Sequence, residues 1–422
     1  MSTIAYLSLW IFVFALPWEN GVTIIPGTAI VTKVTGALAL ATALAATIFS
    51  ARLRRWHPMH LVGLLFLIWS GTELFLMHSG TRLPYKYTTY VQLFAVLWIV
   101  WEIAPSWSRV TGLMTSYVLG GYIVALATIL QYREAGTKLN RFSALESDPN
   151  SLAMTLALAL PMAWYLGMTY RSPVLRWICR SFIAAGLVAI GLTASRGGMV
   201  AATVALMIVP LTMTKLSPGR LIAAVAMLAL SGTLAAVYIP DKIVQRLATT
   251  GTEVEDLSLG GRFKLWQGGV KALTERPLTG YGAGFWRPAV SPWLGPNPQV
   301  AHNSFLSVAV ETGIVGFLLY VGMFFAVFLA LMRLPSFERR FALVLLATLI
   351  VTMLPLSWDD QKSVWFVLAA LLGLAQAPGV AGPRMVPAPQ ARPTPIVRSP
   401  LAARRGTGAM RFSRTGDTDP IA

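Results

Sequence analysis

Residues 301–331 read AHNSFLSVAVETGIVGFLLYVGMFFAVFLAL. From Ser304 onward the only charged residue is Glu311, and the run exceeds the roughly 20 apolar residues with which a helix crosses a bilayer. Directly before it stand Ala301, His302 and Asn303, and the chain has only 4 histidines in 422 residues. The stretch therefore sets the fold, a membrane helix, and marks a place where a proton-accepting side chain sits at a helix entrance.

Working outward, runs of the same kind recur at 4–16, 28–50, 59–78, 88–103, 110–131, 148–169, 178–194, 198–214, 221–239, 341–356 and 363–377. With 304–331 they predict about twelve spans. The chain is 55% hydrophobic and 12% charged, which excludes a water-soluble domain of this length. The runs are rich in Leu, Ala, Val and Met and lack the ten-residue alternation of an outer-membrane barrel, so the expected fold is an all-α polytopic membrane protein of the inner-membrane type. The first segment, MSTIAYLSLWIFVFALPW, has no basic leader and no small-residue cleavage site and reads as a retained helix.

The net charge is +17. Nucleic acid is not implied, because the cations gather in alternate loops: Arg52, Arg54 and Arg55; Arg109; Arg171, Arg176 and Arg180; Lys215 and Arg220; Arg333, Arg339 and Arg340; and Arg384 to Arg414. The positive-inside rule places these loops and both termini in the cytoplasm. Residues 1–377 then form the transmembrane domain, with 240–303 as its long periplasmic loop. The Pro-, Gly- and Arg-rich stretch 378–422 is predicted to be a disordered basic tail resting on anionic membrane lipid. Cys179 is the single cysteine, so no disulfide forms within the chain.

The loop 240–303 is the most informative. In GGRFKLWQGGVKALTERP, from Gly260, Phe263, Leu265, Trp266, Val270 and Leu273 alternate with Arg262, Lys264, Lys271 and Arg276, which predicts a short interfacial helix ended by Pro277. LTGYGAGFWRP follows as a Gly-rich turn, and the prolines and glycines of VSPWLGPNPQVAHN are expected to suppress regular structure. Glycines 280, 282 and 284 suggest a loop able to move over a lipid. Earlier in the chain, Asp148-Pro149-Asn150 reads as a turn leading into a helix.

Arginine binds phosphate bidentately and stays charged, which suits an anionic headgroup. Arg196, in GLTASRGGMV, falls in a short loop on the outer side, where a topogenic arginine does not belong. It is either functional or a snorkelling helix-end cation, and the two following glycines allow close backbone approach. Arg262 and Lys264 either bind a ligand or anchor the interfacial helix. His302 titrates near neutrality and can accept a hydroxyl proton, with Asn303-Ser304 as a helix cap behind it; the plain alternative is a ring hydrogen-bonded to a loop carbonyl. His57 and His60 have no acidic or cysteine neighbours to make a metal site, and His78 reads as an interface residue. Glu253, Glu255 and Asp256, like Asp359 and Asp360, are not joined to a histidine at ligand spacing, so no metal or other cofactor is expected.

The segments GGRFKLWQGGVKALTERPLTGYGAGFW and AHNSFLSVAVETGIVG together resemble the O-antigen ligase and polymerase superfamily. The matching residues are Arg262, Trp266, Pro277, Gly280, Gly282, His302, Asn303, Glu311, Gly313 and Gly316, with DPN at 148–150 and SRG at 195–197. The resemblance implies a GT-C-like helical fold and an inverting, metal-independent glycan transfer at the periplasmic face. It implies an undecaprenyl-diphosphate-linked O-antigen as donor and lipid A-core as acceptor. By the same resemblance His302 is the essential histidine, and Arg262 and Arg196 bind the donor diphosphate. Arg141, Lys264, Asn303, Gly280 and Gly282 are further substrate-binding candidates. An O-antigen ligase fits best. A polymerase or a protein O-oligosaccharyltransferase of the same superfamily stays open, as does a lipid-linked sugar transporter, which would place its polar groups at midplane.

Overall fold

Proline and small polar caps set where the helices begin. The computed structural model describes residues 2–19, 30–77, 85–135, 141–143, 147–213, 219, 222 and 261–377. Its helices are α1 (Ser2–Ala15), α2 (Ile30–Ser50), α3 (Pro58–Met77), α4 (Tyr85–Ile103), α5 (Trp107–Ala135), α6 (Pro149–Thr169), α7 (Pro173–Leu192), α8 (Arg196–Leu206), α9 (Ile208–Met213), α10 (Arg262–Glu275), α11 (Trp286–Leu294), α12 (Ser304–Leu331), α13 (Ser336–Met353) and α14 (Lys362–Gln376). Pro149 and Pro173 open α6 and α7 at the first helical position, where a missing N–H costs nothing, behind the caps Asp148 and Ser172.

The chain is all-helical among the described residues, and every apolar run that falls within them becomes a helix. The expected span at 221–239 and the tail at 378–422 lie outside the described residues, apart from Ile222. Among the described residues five helices, α2, α5, α6, α7 and α12, are long and apolar enough to cross a membrane, and the chain is a multi-pass membrane protein. The run at 198–214 divides into α8 and α9. Pro210 cannot donate to the Leu206 carbonyl and its ring crowds it, so the helix breaks there.

α6 is buried on all sides, against α5, α7, α8 and α13, and forms the centre of the bundle. α14 is buried almost as completely, against α4, α5 and α12, while α3 covers α12. α2 is mostly exposed, with Val34, Leu38, Leu44, Ile48 and Phe49 turned outward as a lipid-facing surface requires.

Two expectations for the loop are corrected. Residues 286–294 form α11 in spite of Pro288 and Pro292. Pro288 falls in the first turn, and the Pro288 carbonyl that Pro292 cannot serve accepts the Ser291 hydroxyl at 3.0 Å. α10 forms as expected, but its buried face is the small one. Leu265, Gly268, Gly269 and Ala272 pack towards α11 and α12, while Phe263 and Val270 are 37% and 53% exposed. A Cβ at Gly269 would stand 2.7 Å from Trp286 Cη2, and one at Gly268 2.9 Å from Leu294. The two glycines therefore bring α10 close against its neighbours.

Candidate active site

α12 starts at Ser304 because the Asn303 side chain accepts the Leu306 N–H at 3.0 Å, the expected cap. The residue before, His302, has φ +48°, a left-handed conformation that costs a residue with a Cβ on the order of 1–3 kcal/mol. Its neighbours hold it there. The His302 N–H donates to Ser357 Oγ at 3.1 Å, the Ser304 hydroxyl donates to the Leu356 carbonyl at 2.7 Å, and the Trp358 N–H donates to Ser304 Oγ at 2.8 Å. From the other side, the Trp266 ring N–H donates to the Ala301 carbonyl at 3.0 Å, tying α10 to the same segment.

The His302 imidazole is half-buried, and its Nδ1 is enclosed without a hydrogen-bond partner among the described residues. An imidazolium needs acceptors for both N–H groups, so this setting favours the neutral ring. Burial lowers the His302 pKa from its usual 6.5, the Arg262 charge lowers it further, and Asp148 opposes them. The ring is thus a proton acceptor at neutral pH. The Arg262 pKa is also lowered, by burial first, with Asp148 opposing and Arg196 adding to the shift. Arg262 and Asp148 are therefore within electrostatic reach of His302, and Arg196 within reach of Arg262.

Arg196 is placed by a frame built from two short segments. Asp148 caps α6, accepting the N–H of Asn150 at 3.0 Å and of Ser151 at 2.9 Å. Asn150 Oδ1 then accepts from Arg141 Nη2 at 2.8 Å and from the Ser195 hydroxyl at 3.0 Å, while Arg141 Nε donates to the Thr193 carbonyl at 3.0 Å. Ala194 takes φ +49°, and Ser195 caps α8 by accepting the Gly198 N–H at 3.2 Å. Arg196 is then the first residue of α8. Its two glycines approach protein: a Cβ on Gly197 would lie 2.7 Å from Met154 Cε and 3.0 Å from Pro355 Cγ, and one on Gly198 would strike Ala153.

The Gly-rich turn docks on a break in α12. Gly313, with φ +65° and ψ −176°, interrupts the helix and frees backbone groups that a membrane cannot satisfy. The turn and α3 satisfy them. The Glu311 carbonyl accepts the N–H of Gly282 at 2.7 Å and of Tyr281 at 3.2 Å, the Ile314 N–H donates to the Pro277 carbonyl at 2.8 Å, and the Trp69 ring N–H donates to the Thr312 carbonyl at 2.8 Å. Gly280 (φ +73°) passes so close that a Cβ would be 2.5 Å from the Gly313 nitrogen. Gly280 and Gly282 thus shape and fasten the turn beneath the site.

Of the residues marked from sequence, His302, Arg262 and Arg196 come together, with Asn303 fixing His302. Arg141 binds the frame through the two bonds above. Lys264 is exposed and about 160° around α10 from Arg262, so it faces elsewhere. His57 and His60 serve the start of α3, where His57 Nδ1 accepts the Met59 N–H and His60 Nδ1 the His57 N–H. His78 and the acids at 253–256 lie outside the described residues. Sequence reasoning missed Ser357, Trp358, Asn150 and Ser195 as supports. Asn150 and Ser195 lie inside the DPN and SRG segments, which pointed to them, whereas nothing local marks Ser357.

Residues 181–321, from α7 into α12, match the family model described as O-antigen ligase. No curated protein matches the chain. The matched stretch holds Arg196, Arg262 and His302, and over that stretch the chain is similar to the O-antigen ligase family.

Proposed function

We propose that the protein moves a glycan from undecaprenyl diphosphate to a sugar hydroxyl of lipid A-core, by an inverting transfer without a metal. The similarity of residues 181–321 to the O-antigen ligase family supports glycosyltransferase-type activity on lipid-linked glycans. One observation carries the finer reading. α8 and α10 begin with Arg196 and Arg262, α12 begins two residues after His302, and Arg262 lies within electrostatic reach of both Arg196 and His302. Helix N-termini and guanidinium groups both favour an anion, which suits a diphosphate. In this mechanism neutral His302 takes the acceptor hydroxyl proton as the oxygen attacks the anomeric carbon. The bond to the diphosphate breaks, and Arg262 and Arg196 stabilise the charge on the leaving group. Asn303 fixes the histidine; Arg141, Gly280 and Gly282 are outer parts of the substrate site, and Lys264, which faces elsewhere, is not among them.

This reading takes the bundle as GT-C-like with about twelve spans. It places both termini in the cytoplasm of an inner-membrane protein, the loop 240–303 in the periplasm, and 378–422 as a basic tail. A midplane ion path of the transporter kind is not favoured: Glu311, the buried acid of α12, lies about 10 Å from the start of a 28-residue helix, well short of its middle.

The test is transfer by the purified chain with a lipid-linked donor and a core acceptor. Wild type is expected to form the product in chelator, and His302→Ala to lose it. A His302→Ala protein with the wild-type rate would overturn the base role, and glycan growing on the donor lipid without acceptor would identify a polymerase.

A further inference from the structure

A buried ionic cluster lies behind the site, and the transfer chemistry does not use it. Lys86 Nζ, at the start of α4, is 2.7 Å from Glu311 Oε2 and 2.8 Å from Asp359 Oδ2, and it donates to Ser307 Oγ at 3.2 Å. Asp359 Oδ2 also accepts the Tyr90 hydroxyl at 2.5 Å. Asp359 and Glu311 are 0% and 2% exposed. Packed apolar residues hold helices together at least as well as a buried ion cluster of this kind. Charged groups inside a membrane bundle are therefore a functional signal, and their role is read from what they fix.

Each acid anchors one wall of the histidine's setting. Asp359 ends the segment 356–359 in which the Leu356 carbonyl takes the Ser304 hydroxyl, Ser357 Oγ takes the His302 N–H, and Trp358 donates to Ser304. The Trp358 ring N–H also donates to Ser151 Oγ at 3.3 Å, beside the cap Asp148. The Glu311 carboxylate accepts the Gly284 N–H, while its main-chain carbonyl accepts those of Gly282 and Tyr281, so this residue holds the Gly-rich turn. Lys86 is the one cation bridging both acids among the described residues.

We propose that Lys86, with Asp359 and Glu311, is a positioning site for His302: it clamps segment 356–359 against α12 and so holds the histidine in its left-handed conformation, without touching substrate. This inference rests on the glycan-transfer reading above.

The experiment compares purified, full-length Lys86→Gln, Asp359→Asn and Lys86→Arg with wild type and His302→Ala in the transfer assay, across pH. The expected result for Lys86→Gln and Asp359→Asn is a kcat lowered tenfold or more, KM for donor and acceptor within about threefold, and partial rescue in Lys86→Arg. The acid limb of the profile should also move towards higher pH, because a loosened segment exposes the imidazole and relieves the burial that lowers its pKa. A merely structural role would scale the profile without moving it. Folded Lys86→Gln with wild-type kcat, or an unmoved limb, overturns the proposal. So does failure of Lys86→Gln, Asp359→Asn and Lys86→Arg alike to give monodisperse protein, since the cluster's role is then folding. If His302→Ala itself transfers at the wild-type rate, the glycan-transfer reading fails instead.

Discussion

Replacing Gly313 by alanine tests whether the broken helix under the site is a required backbone geometry. With φ +65° and ψ −176°, Gly313 occupies a region open essentially to glycine alone, which costs any other residue about 2 kcal/mol. The new methyl would land on the Leu278 carbonyl and lie 2.6 Å from the Thr279 nitrogen, so the turn has to retreat. Losing even one of the buried bonds from Ile314 to Pro277, or from Gly282 to Glu311, adds about 2 kcal/mol. Together these give a loss of about 4 kcal/mol, close to a thousandfold in the folded-to-unfolded ratio. Thermal denaturation of the detergent-solubilised protein measures it, with hydrogen exchange at Tyr281 and Gly282 reporting the local bond. The control is Gly322→Ala in the same helix, where a Cβ meets only Val62 Cγ1 at 3.3 Å, and where a helical Gly-to-Ala change is worth up to about 1 kcal/mol in favour of the fold. If Gly313→Ala melts with Gly322→Ala and keeps its exchange protection, the turn does not depend on this geometry and the argument fails.

Three further outcomes follow from the site. In Arg262→Gln, removal of a charge that lowers the His302 pKa should bring it back towards 6.5; because the neutral ring is the active form, the acid limb of the residual activity moves to higher pH in a pH–rate profile. Ser357→Ala leaves the His302 N–H without its acceptor, which costs about 1–3 kcal/mol, and should slow transfer by about tenfold or more with unchanged donor binding, read from initial rates and a binding isotherm. Asn303→Ala removes the cap of α12 and should destabilise the protein by about 1 kcal/mol, whereas Asn303→Asp keeps it, as paired thermal melts will show.

The helices were legible because apolar runs of spanning length leave few alternatives, and caps such as Asp148 and Asn303 mark their starts in the sequence itself. His302 and Arg196 were legible for a different reason: a histidine at a helix entrance and an arginine in a loop of the wrong polarity are local anomalies. The fold of residues 286–294 was not, because the rule that proline ends helices ignores Ser291, whose hydroxyl takes the carbonyl that Pro292 leaves free. Nor was the inner face of α10, where the packing surface is made of glycines that no hydrophobic pattern registers. Ser357 and Lys86 were the hardest. Their partners lie 55 and 225 residues away along the chain, and only the folded arrangement of α4, α12 and the segment before α14 makes them neighbours of the site.

These placements share a physical logic. A cation at the first position of a helix opposes the helix dipole, and Arg196 and Arg262 both stand there. His302 and Ala194 hold left-handed backbone that alanine or histidine adopts only under constraint. Each feature lowers stability, and all of them lie at or beside the N-termini of α8, α10 and α12. Around them the protein spends strong restraints: capping side chains, a tryptophan bond from α10, and an ion cluster from α4. Strained groups held by several restraints at once are the arrangement expected if they await an anion that completes the field they create.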